Sequence, residues 1–266
     1  MIRLVVLMFA MGGAAMAQDL APTVSSEPIQ RSEASVPSAP VPDRPASDSA
    51  EAATDAPDAV STKLGARDLL RLNDADYGTC LAALDDLGVV YTEAAPIIPA
   101  DDVDCGIVRP LTVSEIAPGV SLIPEATLRC PAVRAVAEWT RDFVLPAAQR
   151  LGPDTTLAAM ETASGYTCRR RNNRPDGKLS EHAFGNAIDI LGFRFADRNP
   201  ITVEPREGEG SIEESFQDAV RAAACLDFST VLGPGSNASH DDHLHLDIIE
   251  RSSGYRLCEQ GGAAPE

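Results

Sequence analysis

All four histidines of the 266-residue chain fall in two short stretches, and each stretch also carries carboxylates. The first is LSEHAFGNAIDI, Leu179 to Ile190, in which His182 and Asp189 stand seven residues apart. The second is SNASHDDHLHLDI, which holds His240, Asp242, His243 and His245. If His182, Asp189 and one of the late histidines converge, they form a His₂Asp set. Three N/O donors with a fourth position open to water is the pattern of catalytic zinc. Such an ion lowers the pKa of its water to about 7 and polarises a carbonyl, chemistry suited to amide hydrolysis. Donor type alone leaves iron, copper and manganese open. The plainer alternative is a polar strand end whose histidines bond neighbouring aspartates.

Convergence requires particular elements. On one straight strand His182 and Asp189 would lie about 23 Å apart, and on a continuous helix about 10.5 Å apart along the axis. They meet only if the chain turns between them. Gly185-Asn186 is the place for that turn, since both residues tolerate a positive φ, and a short strand over 186–192 should follow. In HLHLDIIE, Leu244, Leu246 and Ile248 alternate with His243, His245 and Asp247, the period of a half-buried strand. His243 and His245 then share a face about 7 Å apart, and the same alternation points Asp242 away from His245.

The remaining sequence sets the context. MIRLVVLMFAMGGAAMA, residues 1–17, has the positive start, apolar core and A-x-A site of a secretory signal. Residues 18–62 are rich in Pro, Ala, Ser and Asp without an aromatic, which predicts a disordered tether. Residues 63–266 suffice for one domain with its own core. The formal charge is −18, and the tether's eight Asp/Glu against Arg31 and Arg44 account for only part of it. That balance argues against a nucleic-acid partner. No segment after the signal is long and apolar enough to span a bilayer. The six cysteines lie beyond the tether with no C-x-x-C pair, so three disulfides are expected, with fifteen connectivities open. Together these features predict a periplasmic or secreted protein.

DLLRLNDADYGTCLAALDDLGVVY suggests one or two short helices, the second ending at Gly88 and passing into a strand. Helices are also expected over CPAVRAVAEWTRDFVLPAAQRLG with a bend at Pro146, and over SIEESFQDAVRAAACLDF. The last opens on a capping box of Ser211 and Glu214. CGIVRPLTV and GVSLIPEATLRC look extended, and Trp139 is a core candidate. Helices and strands mix without regular βαβ alternation, so the class is α+β.

SEHAFGNAIDI followed by HDDHLHLDI resembles the extensin-like C-terminal domain of exported bacterial proteins. More distantly it resembles the superfamily of lysostaphin-type, D-alanyl-D-alanine and hedgehog-type zinc domains. Their pattern is S-x-H, then A-x-D, then a late H-x-H or acidic-x-x-H. Ser180, His182, Ala187 and Asp189 match the first part and His245 the last. His240, His243 and His245 have the spacing seen in penicillin-insensitive murein endopeptidases. The resemblance implies Zn²⁺ held by His182, Asp189 and His245, a disulfide-stabilised fold around a small antiparallel sheet with flanking helices, and peptidoglycan stem peptides or crosslinks as substrate. It offers two proton carriers: Asp242 by its place three before His245, and His243, favoured because a base works best with a pKa near the operating pH. Ser180 and His240 are substrate-binding candidates. Arg169, in the basic run CRRRNNRPDGK, is a third, since Arg recognises carboxylates bidentately, although Thr167-Cys168 interrupt the S-G-Y-R-like element found there in relatives. The expected activity is a zinc metallopeptidase; the alternative is a non-catalytic zinc module that binds wall peptides or a protein.

Overall fold

The structure, a computed structural model, describes residues 64–100 and 102–259; the signal segment and the tether lie outside the described residues. The chain begins with a short helix, α1 (Ala66–Leu69), then α2 (Asp74–Asp86), whose first turn is capped by Asn73 Oδ1 accepting from Asp76 N. Gly88, at φ +73°, reverses the chain into β1 (Val90–Glu93), and β2 (Pro110–Ala117) and β3 (Val120–Arg129) follow as a hairpin. The long apolar-periodic segment forms α3 (Cys130–Trp139), a wide π turn over Thr140–Val144, and α4 (Leu145–Gln149). Pro146 has no N–H to give, and just before it the ladder widens so that Leu145 N reaches Thr140 O.

Next come β4 (Leu157–Ser164), β5 (Ala187–Phe195), β6 (Ile201–Thr202), α5 (Ile212–Asp227), β7 (Thr230–Leu232), β8 (Leu244–Asp247) and β9 (Leu257–Cys258). Ser211 Oγ caps α5 by accepting from Glu214 N. The capping box closes only by half, because the Glu214 carboxylate accepts from Gly208 N and Gly210 N instead of returning to the cap.

The α+β class holds, but the sheet is neither small nor wholly antiparallel. Nine strands lie in the order β1-β2-β3-β4-β5-β8-β7-β9, with β6 on the far end of β5. The β3–β4 and β7–β9 pairs are parallel. The first follows from the α3–α4 crossover, which carries the chain back to the starting end of β3 before β4 begins.

Trp139, as its apolar setting requires, is fully buried. Its indole N–H donates to Val220 O at 2.9 Å, and its ring sits between Phe193 of the sheet and Phe228 after α5. This contact clamps α3 and α5 to each other and to the strand that carries Asp189. The six cysteines pair as Cys80–Cys130, Cys105–Cys168 and Cys225–Cys258. Loops of 33 to 63 residues closed in this way each gain about 4 kcal/mol in a chain-entropy view. No helix among the described residues is long and apolar enough to cross a membrane.

Candidate metal centre

Three short-range devices bring the centre together. Glu181–Phe184 form a single 3₁₀ turn that ends at Gly185 with φ +67°, in the left-handed region. A side chain there is excluded twice, by that φ and because a Cβ would stand 2.3 Å from Ile107 Cδ1. The reversal folds His182 back over the start of β5, so that His182 Nε2 stands 3.1 Å from Asp189 Oδ1. Asp189 in turn lies directly opposite His245 in the antiparallel β5–β8 register, where facing side chains are close neighbours. On the other side of β5, Ser164 of β4 pairs with Asp189. One row across three strands thus sets Ser164, Asp189 and His245 side by side.

The donor atoms form a nearly equilateral triangle. His182 Nε2 and His245 Nδ1 are 3.1 Å apart, and His245 Nδ1 is 3.0 Å from Asp189 Oδ1. Tetrahedral zinc with bonds of 2.0–2.1 Å would place its donors about 3.3 Å from one another. Hydrogen bonding to the far side of each ring fixes which nitrogen carries the proton. His182 Nδ1–H donates to Gly165 O at 2.7 Å, and His245 Nε2–H donates to Asp247 Oδ2 at 3.1 Å. With those far nitrogens protonated, the inner nitrogens of the two rings are the ones left to face a carboxylate oxygen, and three potential donor atoms converge on one point. Such a cluster calls for a cation, and the donor set fits zinc.

A cation at this point competes with a proton. Burial alone would depress the His245 imidazolium, but its bonds to Asp189 and Asp247 outweigh that and raise its pKa to about 9, so an ion takes His245 Nδ1 by displacing the proton that otherwise bonds Asp189. Burial would raise the Asp189 carboxyl, yet the bonds from His182 and His245 hold it well below the usual range. The second carboxylate oxygen is also engaged: Ser164 Oγ donates to Asp189 Oδ2 at 3.2 Å, and Arg169 Nη2 lies 3.6 Å from it.

Of the expected proton carriers, His243 comes nearer. Its Nε2 is 3.7 Å from Asp189 Oδ1, and its Nδ1–H donates to Asp242 Oδ1 at 2.8 Å. Asp242 is largely exposed and touches the centre only through His243, as strand alternation requires. His240 is buried beside both rings, 5.2 Å from His243 and 5.6 Å from His245 between centroids. Its Nδ1–H donates to Asn237 Oδ1, and burial first, then the neighbouring histidines, lower its pKa to about 4. Ser180 is buried at the N-terminus of the 3₁₀ turn, its amide donating to Arg169 O. With Arg169, Arg171, Glu181, His240 and His245 it lines a pocket of about 100 Å³ beside the centre.

Three supporting groups were not singled out in advance. Asp247 was visible as the next residue on the histidine face, and its pairing with His245 follows from the same alternation. Ser164 sits on a strand with no motif around it. The Gly165 carbonyl is backbone and carries no residue-type signal at all. Such outer partners set ligand tautomer and basicity. Asp247→Asn should accordingly weaken any metal bound there by about 10–100-fold in a competition titration with a chelator, while the far-ultraviolet circular dichroism is unchanged.

The only other grouping of metal-type residues among those described, Asp102 with Cys105 and Cys168, is spent on the disulfide between its two cysteines. Comparison with known proteins adds a family. No curated protein and no solved structure matches the chain. Residues 78–259, a span that includes the whole His182–Asp189–His245 centre, match the extensin-like protein C-terminus family, and the chain belongs to it.

Proposed function

We propose that this chain is an exported zinc metallopeptidase that hydrolyses peptide bonds of peptidoglycan stem peptides or crosslinks. The observation that carries the reading is the convergence of two tautomer-fixed imidazoles and one carboxylate, with a third histidine facing them. His182, Asp189 and His245 would hold the ion. When bound, it supplies a Lewis acid for the scissile carbonyl and a water acidified toward neutrality.

The chain's own residues do the rest. Asp242 accepts from His243 Nδ1–H and so leaves Nε2 as the proton acceptor, turned toward the ligands. His243 takes the proton from the attacking water and returns it to the leaving amine. His240 presents an accepting Nε2, because Asn237 fixes its proton on Nδ1, so it suits a substrate N–H better than a carbonyl. Arg169 and Arg171 border the pocket with cationic groups in an otherwise acidic protein, and stem peptides carry the carboxylates that guanidinium groups recognise. Three disulfides fit an oxidising, extracytoplasmic compartment.

Two measurements test this. Elemental mass spectrometry of the oxidised protein should find about one zinc per chain, and digestion of purified muropeptides should release new amines. Absence of metal after zinc incubation of folded protein would remove the centre. Zinc without cleavage of any muropeptide would leave the binding-module reading in its place.

A further inference from the structure

A second cationic site lies apart from the metal centre. Arg67, Arg71, Arg109 and Arg129 converge on one small pit between α1, the start of α2 and the start of α3. Its volume is about 20 Å³, and Leu72, Val108 and Pro131 supply apolar wall. Four guanidinium groups around one opening are unexpected in a chain with 22 basic and 40 acidic residues, because each raises the cost of the next. Acidic compensation is incomplete. Arg109 pairs with Asp74 and lies over the Tyr77 ring, its Cζ 4.7 Å from the centroid. Arg67 has Asp68 at 3.6 Å. Arg71 and Arg129 form no ion pair among the described residues, and Asp74 is the acid whose charge both Arg109 and Arg71 feel.

The two inner arginines are built in rather than splayed on the surface. Arg129 spends Nε on Asn186 Oδ1 and Nη1 on Leu70 O, and burial lowers its pKa although the charges of Glu181 and Glu250 act the other way. Arg67 donates through Nη1 to Cys105 O, and its side chain is 10% exposed. Its Nε is buried with no hydrogen-bond partner. Buried donors are almost always satisfied, so an orphaned guanidinium N–H at a cationic pit points to an acceptor that comes from outside.

We propose that this pit binds the head of an oxyanion, a carboxylate or a phosphate, with the remainder of the ligand lying over the apolar rim. Planar guanidinium groups match both heads in geometry and charge, and a pit of about 20 Å³ takes a single oxygen of the head, the rest staying at its mouth. Asp74, on the rim, sets the affinity from outside by competing for Arg109 and Arg71. This site is independent of the zinc chemistry proposed above.

The test is a titration of succinate, inorganic phosphate and chloride into the zinc-loaded full chain, followed through the arginine Nε–H resonances. Saturable shifts with an oxyanion are expected. Arg71→Ala, at an exposed position, should weaken it about tenfold, the loss of one charge-assisted contact. Asp74→Asn should tighten it, a gain that loss of a merely structural ion pair would not produce. Tighter succinate identifies a carboxylate ligand and tighter phosphate a phosphorylated one. No saturable shift, chloride binding as well as either oxyanion, or an unchanged affinity in Arg71→Ala would overturn the proposal.

Discussion

Asp189→Ala is expected to abolish stoichiometric zinc binding while leaving the fold intact. The carboxylate is the shared vertex of the donor triangle, with His182 Nε2 at 3.1 Å and His245 Nδ1 at 3.0 Å from the same oxygen. Removing it takes away a ligand and the only negative charge among the three. Two neutral imidazoles remain, and outer partners alone already change metal affinity by about 10–100-fold, so losing an inner ligand must cost more. The fold should survive because the row across β4, β5 and β8 keeps its backbone pairing, and none of the three disulfides lies in it. Zinc stabilises whatever state it binds in proportion to the logarithm of its concentration over Kd. Wild type should therefore show a zinc-dependent rise in Tm that chelator reverses, and Asp189→Ala should show none. Equal zinc content in the two proteins would mean the ion sits elsewhere.

Much of this centre was legible because it is made of local signals. Gly185 reverses the chain by the one conformation that favours glycine, and that alone decides whether His182 and Asp189 meet. His245 and Asp247 share a face by period two, which the β8 strand preserves. The same pattern misleads about burial. HLHLDIIE has the alternation of a strand with one wet face, yet Leu244–Asp247 is buried on both sides, since the polar face carries the candidate metal centre, where His245 and Asp247 are themselves buried.

What sequence could not supply is the sheet around the motifs. LAAMETAS, the central strand β4, has no alternation and no turn chemistry that sets it apart. Its place was decided by the α3–α4 crossover and by pairing with β3 and β5, contacts between residues far apart in the chain. For the same reason Ser164 and the Gly165 carbonyl carry no sequence signal, although they orient Asp189 and His182. The disulfide pairing belongs to the same class. Cys105 and Cys168 are 63 residues apart, and only the completed fold says that they touch.

His243→Ala should keep its zinc and lose turnover, by about 10²–10⁴-fold if His243 is the general base and acid. The ring is not needed to hold the ion, since the donor triangle closes without it. It is needed for a proton. Its Nε2 lies 3.7 Å from Asp189 Oδ1, close enough to reach a water held at the centre, and the bond from Nδ1–H to Asp242 keeps that nitrogen free to accept. Asp242→Asn separates the two carriers that sequence left open. Asp242 is largely exposed and reaches the centre only through the imidazole, and a solvated partner contributes little. Its replacement should cost much less than loss of the ring. The comparison of kcat/KM for the two variants on one muropeptide, with zinc content measured in parallel, decides between them. Loss in Asp242→Asn equal to that in His243→Ala would mean that the imidazole works only while the carboxylate holds its tautomer, so that the two act as a single unit. Unchanged turnover in His243→Ala would remove the imidazole from the chemistry and leave the metal centre without a proton carrier on this side.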